Sequence, residues 1–193
     1  MSLPQRLLTG SEYLAIERQA EHRSEFFEGE RFALAGASQR HNLLVANLVR
    51  VLGNQLVNRR CNVYPSDLRI KIEALGKYTY PDVSVACAEE TFEDSHRDVL
   101  LNPVVIFEVL SDSTEAYDRG RKFEHYQHLD SLREYLLVTQ NRRRIEHFVR
   151  QGSHRWTYTD HGPGPGAATP GSIRLPSIDC SLELDDVYAK TPL

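Results

Sequence analysis

Tyr80-Pro81-Asp82-Val83-Ser84-Val85-Ala86 and Val104-Val105-Ile106-Phe107-Glu108-Val109-Leu110 are two short apolar runs, each carrying one carboxylate among β-branched neighbours. Their length and composition predict two strands, and the near-continuous apolar character places both at the centre of a sheet with both faces covered. An acid inside such a strand is costly to ionise unless a positive charge meets it. Two acids on neighbouring strands would set their oxygens side by side, which suits a hard divalent cation such as Mg2+. A cation held there activates water, so a metal-dependent hydrolase is the first expectation.

Working outward, Thr9 or Ser11 caps a helix beginning at Glu12, with Tyr13, Leu14 and Ile16 on its apolar face. Residues 24–34 read as a hairpin turning at Glu28 and Gly29, because aromatic residues flank a glycine free to take positive φ. Ser38 opens a long helix to about Asn58, with Val45, Leu48, Val49, Leu52 and Leu56 at helical spacing. Residues 61–64 and 68–72 are further strands; the second alternates, so one of its faces is expected in water. Ser113 or Thr114 caps a helix over 115–129, and a strand follows at 134–139. Strand, helix, strand is a crossover unit, which implies mixed α/β. Residues 144–150 and 155–158 continue as antiparallel strands. A Gly/Pro connector at 162–168 precedes a strand at 172–175, and residues 182–188 read as a closing helix.

The chain has 193 residues, 40% of them hydrophobic, so one domain over 1–193 is expected. The formal net charge of −4 excludes a globally basic nucleic-acid binder; a polyanion would have to meet a local patch. Cys61, Cys87 and Cys180 are odd in number and widely separated, without zinc spacing or a disulfide framework, so a reducing cytoplasm is expected. No apolar run reaches the roughly 18 residues of a membrane helix, and no signal-peptide core follows the start. The eight histidines lack His-Glu-x-x-His spacing and no glycine-rich phosphate cradle occurs, which sets aside zinc peptidases and a nucleotide cofactor. Ser111 and Ser113 lack a serine-hydrolase elbow.

The ordered set Tyr80-Pro81-Asp82-Val83, Phe107-Glu108-Val109-Leu110-Ser111, Ser113-Thr114, Asp118, Lys122, Tyr126 and Glu134-Tyr135 resembles the large bacterial, restriction-endonuclease-like branch of the PD-(D/E)XK nuclease superfamily. The likeness runs from Leu8-Thr9-Gly10-Ser11-Glu12-Tyr13-Leu14 to Leu182-Glu183-Leu184-Asp185-Asp186-Val187-Tyr188. It implies a restriction-endonuclease-like α/β core, a mixed central sheet flanked by helices, with an added N-terminal hairpin and C-terminal antiparallel strands. It also implies that Asp82 and Glu108 bind Mg2+ or Mn2+ for phosphodiester hydrolysis in DNA.

Leu110 stands where the superfamily pattern has a lysine two residues after the glutamate. Such a lysine would orient water and offset charge developing on phosphate. Lys122 is the expected substitute, four residues after Asp118 on one helix face, with Lys71 as runner-up. The resemblance brings in Glu25, of Glu25-Phe26-Phe27-Glu28-Gly29-Glu30, and His41 as accessory residues; a solvated hairpin acid and a capping histidine are their plainer readings. Arg142, Arg143 and Arg144, followed by His147, Arg150, His154 and Arg155, form the densest positive stretch and a weak candidate for phosphate contact. A homodimer would suit an enzyme that cuts both strands. The competing expectation is a nuclease-like fold that binds nucleic acid or protein without cleaving.

Overall fold

Thr9 closes a capping box at the start of the first helix: it accepts from the Glu12 N–H at 3.2 Å, and its own N–H donates to Glu12 Oε2 at 2.9 Å. In the computed structural model, which describes residues 6–112, 114–153, 155–162 and 172–193, this helix is α1 (Gly10–Glu17). The hairpin is β1 (Ser24–Phe27) and β2 (Glu30–Ala33). Gly29 is needed at its turn, because φ is +84° and an added Cβ would stand 2.6 Å from Leu7 Cβ. Ser38 caps α2 (Gln39–Leu56) by accepting from the His41 N–H at 3.1 Å. Next come β3 (Cys61–Pro65), β4 (Arg69–Ile72), β5 (Lys77–Thr79), β6 (Val83–Cys87), β7 (Val99–Leu100) and β8 (Val105–Leu110). Beyond β8 lie α3 (Glu115–Tyr117), a π turn (Asp118–Lys122) and α4 (Phe123–Tyr126). The chain continues through β9 (Glu134–Thr139), β10 (Ile145–Arg150), β11 (Trp156–His161), β12 (Ile173–Leu175), β13 (Cys180–Leu182) and α5 (Leu184–Val187).

The main sheet runs β11-β10-β9-β8-β6-β3, parallel between β8 and β9 and antiparallel elsewhere. It is therefore a mixed sheet with the two acidic strands adjacent near its middle, as their apolar runs predict. Strand alternation divides β8 between two cores. Val105, Phe107 and Val109 pack with Leu44, Leu48, Leu52 and Leu56 of α2, while Ile106 and Leu110 pack with Tyr126, Leu129 and Tyr135 on the other side. Burying each α2 leucine contributes about 1.5–3 kcal/mol. Glu108 shares the face of Ile106 and Leu110, so its carboxylate enters the second core.

Several expectations need correction. The hairpin is the edge of a second sheet, β2-β1-β5-β4-β7, and β5 and β7 were not expected from the sequence. Strand β4 has no wet face of the kind its alternation suggests: Arg69 is 6% exposed because its guanidinium meets Asp98 and the Tyr80 hydroxyl. The helix expected over 115–129 is interrupted by the π turn. Ser113 lies outside the described residues, and Thr114 makes no side-chain cap; instead Ser111 Oγ accepts from the Thr114 N–H at 3.3 Å. Leu182 belongs to a strand, which shortens the closing helix. Most of the Gly/Pro connector lies outside the described residues.

Cys61 and Cys87 are directly opposed in the β3–β6 register and form a disulfide, whereas Cys180 is free and buried. Spacing along the chain conceals this pair because antiparallel pairing brings together residues 26 apart. Among the described residues, no helix is long and apolar enough to cross a membrane.

Candidate active site

The register Val83↔Phe107 between β6 and β8 makes Asp82 and Glu108 the next opposed positions. Asp82 lies just before β6, after Pro81, and is held at both oxygens: Oδ2 accepts from the Val109 N–H at 2.7 Å, and Oδ1 lies 3.0 Å from His41 Nε2. His41 is thus brought to the acid pair by the first turn of α2. Its backbone N–H donates to the Ser38 cap while its ring reaches Asp82.

Glu108 is 2% exposed. Its Oε1 accepts from the Tyr126 hydroxyl at 2.8 Å and lies 2.9 Å from Lys122 Nζ. The π turn widens the helix at Asp118–Lys122, and buried Lys122 stands 3.7 Å from Asp118 Oδ1 and 3.6 Å from Glu25 Oε1. The Tyr135 hydroxyl donates to the Asp118 carbonyl at 2.9 Å, anchoring this turn to β9.

Glu25 does not stand beside the acid pair as a free third carboxylate. It accepts from the Thr79 and Tyr117 hydroxyls and lies between Lys122 and Lys77, 3.7 Å from the latter. Lys77, which sequence reasoning missed, is 2% exposed, donates to the Tyr117 hydroxyl at 2.5 Å and lies 3.1 Å from His125 Nδ1. Glu108, Lys122, Glu25 and Lys77 therefore form a buried row of alternating charge. Only its place just before Tyr80-Pro81-Asp82 could have drawn attention to Lys77.

Burial, reinforced by Asp82 and Asp118, pushes the Glu108 carboxyl well above the usual carboxylate range despite Lys122. Burial alone would lower the Lys122 ammonium, but Glu108, Glu25, Asp118 and Asp82 outweigh it and hold the group protonated. For Glu25, burial is overcome by Lys122 and Lys77, and its carboxyl is lowered. Burial lowers Lys77 in spite of Glu25. Asp82 and Asp118 crowd Glu108, so a cation placed beside it would favour its ionised form.

These donors fit a hard divalent ion. Asp82 and Glu108 supply carboxylate oxygens at opposed positions, and no group of three His, Cys, Asp or Glu side chains poised for a metal occurs among the described residues. Mg2+ is usually held by one or two carboxylates, with water and phosphate oxygens completing its shell.

The remaining candidates fall elsewhere. Lys71 pairs with Glu93 outside the pocket that contains the acids. The arginine stretch is largely spent internally: Arg143 pairs with Asp185, and Arg144 with Asp160 and Glu146. His147 is buried 2.6 Å from Glu134, and Arg150 donates to the carbonyls of Gln127 and Leu129. Arg142 is exposed and His154 lies outside the described residues.

A mixed sheet with acids opposed on two central strands and a lysine delivered from the following helix defines a restriction-endonuclease-like nuclease fold. The chain belongs to the Uma2 family, described as "putative restriction endonuclease", whose model matches residues 11–182. An uncharacterized protein of Synechocystis sp. is 40% identical over 155 residues, covering 80% of this chain and 88% of that one. A second from the same organism is 33% identical over 187 residues, covering 97% and 94%. The crystal structure of a "putative nuclease belonging to DUF820" from Anabaena variabilis shares the fold, with a TM-score of 0.73 at 17% identity over 94% of this chain and 98% of that one.

Proposed function

We propose that this protein is a divalent-metal-dependent endonuclease that hydrolyses phosphodiester bonds in DNA, with Asp82 and Glu108 holding Mg2+ or Mn2+ and Lys122 assisting. The observation that carries the reading is Lys122 Nζ at 2.9 Å from Glu108 Oε1, which supports this lysine of the π turn as the cation that Leu110 does not supply. A bound divalent ion would supply Lewis acidity toward phosphate and water. His41 and the Val109 N–H orient Asp82, and Tyr126 orients Glu108, so both carboxylates are set before substrate arrives. The Lys122 ammonium, beside Glu108, would offset negative charge growing on a phosphate bound at the acids.

The competing reading, a non-cleaving binding module, draws on Leu110, which is 3% exposed and puts an apolar side chain where the pattern has a lysine. Incubating wild type and Asp82→Ala with supercoiled DNA in EDTA, Mg2+ or Mn2+ separates the two. Metal-dependent nicking by wild type, reduced at least about 100-fold in the variant, is expected. Equal nicking by both proteins would remove Asp82 from the site, and absence of nicking by wild type would favour the binding module.

A further inference from the structure

The acid pair opens into a pocket of about 990 Å3, at the upper end of the size range of ligand pockets. The acids are recessed in it, with the Asp82 side chain 17% exposed and that of Glu108 3%. Two arginines, Arg40 and Arg121, also line this pocket. The other strong cations of the wall are spent on carboxylates: Arg23 on Asp67, Lys77 on Glu25, and Lys122 on Glu108. Among the described residues, Arg40 and Arg121 have no such partner.

Their placement adds to this. Arg40 immediately precedes His41, which holds Asp82, and Arg121 immediately precedes Lys122, which meets Glu108. They belong to different elements, the first turn of α2 and the π turn, so two uncommitted guanidinium groups reach one pocket from the two sides that position the acids. A planar guanidinium with free donors matches phosphate oxygens in a bidentate fork. The pocket also carries Phe32, a β2 side chain left 49% exposed. An exposed aromatic sharing a pocket with unpaired arginines is the composition of a surface that stacks bases and tracks a backbone.

We infer that Arg40 and Arg121 grip backbone phosphates of an unpaired nucleic-acid strand drawn down to the recessed acids, and that Phe32 stacks one of its bases. This rests on the nuclease reading and narrows its substrate to single-stranded segments. A stacked base inside a duplex is covered by its neighbours, whereas a strand free of its complement can turn a base onto Phe32 and lower its phosphates into the pocket.

The test is fluorescence-anisotropy binding of a labelled single-stranded oligonucleotide, and of the same sequence as a duplex, over a salt series in EDTA and in Mg2+, with each sample checked for cleavage. Wild type is expected to bind the single strand about tenfold more tightly than the duplex. Arg40→Ala and Arg121→Ala should each weaken single-strand binding about tenfold and flatten the salt dependence by about 0.7. Phe32→Ala should weaken it about tenfold with the salt slope unchanged. Arg60→Ala, at an exposed arginine outside the pocket, should stay within about twofold of wild type. Binding by both arginine variants at wild-type strength, or a duplex held as tightly as the strand, overturns the inference while leaving the nuclease reading intact. Absence of nucleic-acid binding by wild type overturns both.

Discussion

Lys122 reaches Glu108 from fourteen positions along the chain, a role that the aliphatic Leu110 cannot fill; it packs with Tyr126 and Leu129 instead. Its side chain is 8% exposed and is shared among Glu108, Glu25 and Asp118. Lys122→Met is expected to cut nicking by about 10²–10³-fold, the scale of losing one electrostatic stabiliser of a transition state. It should also destabilise the protein by about 1–3 kcal/mol, because hydrogen-bonded acids lose a buried partner. Lys122→Arg keeps the charge and should recover stability and part of the rate. Nicking assays beside urea unfolding of both variants check this; full activity in Lys122→Met would remove the residue from the mechanism. The lysine was readable as a candidate from its i, i+4 relation to Asp118, but its contacts with Glu25 and, through Glu25, with Lys77 were not. They depend on two sheets meeting.

Among the elements, α1 is fastened to the second sheet by charge. Arg18, at the end of α1, donates to Asp98 from Nε at 2.9 Å and from Nη2 at 2.7 Å, and Arg69 of β4 reaches the same carboxylate. The Arg18 hydrogen bonds hold the Asp98 carboxyl below the usual range. A folded-state value below the unfolded one gives stability that is present above the unfolded value, about pH 4, and is lost as pH falls through the folded one. Asp98→Asn should therefore cost about 1–2 kcal/mol at pH 7, and its unfolding curve should converge with that of wild type in strong acid, once the folded-state carboxyl is protonated. Thermal unfolding followed from pH 7 to strong acid tests this; a constant gap between the two proteins would refute it. The elements themselves differ in how openly the chain declares them. Helix α2 is marked by Ser38 and a run of leucines at helical spacing, and β6 and β8 by unbroken apolar residues. Strands β5 and β7 have three and two residues, too few to show a period. The π turn has no local signature and exists because Lys122, Phe123 and Tyr126 each have a buried partner to meet.

At the scale of the whole molecule, edge strand β3 is tied to β6 by Cys61–Cys87, closing a loop of 26 residues that includes β4 and β5. A cross-link of that span restrains the unfolded chain and contributes about 2–4 kcal/mol. Cys61→Ser, or reduction of wild type, should lower the urea midpoint accordingly, and amide exchange should rise first in β3, which among the described residues has no strand on its outer side. An unchanged midpoint would mean that the pair adds nothing to the fold.

The sequence by itself determined the mixed α/β class, the capped helices, the two central strands and the identity of Asp82, Glu108 and Lys122 as the residues to watch. Each of these rests on neighbours in the chain, through caps, periodicity and an acid isolated in apolar surroundings, or on the ordered motifs that the resemblance matched. Only the tertiary structure decided the second sheet, the disulfide, the alternating row from Glu108 to Lys77, and the contrast within the pocket wall between cations spent on carboxylates and the uncommitted Arg40 and Arg121. Those are properties of strand register and of charges brought together from distant segments, and a side chain's partner across a fold leaves no mark on the residues beside it.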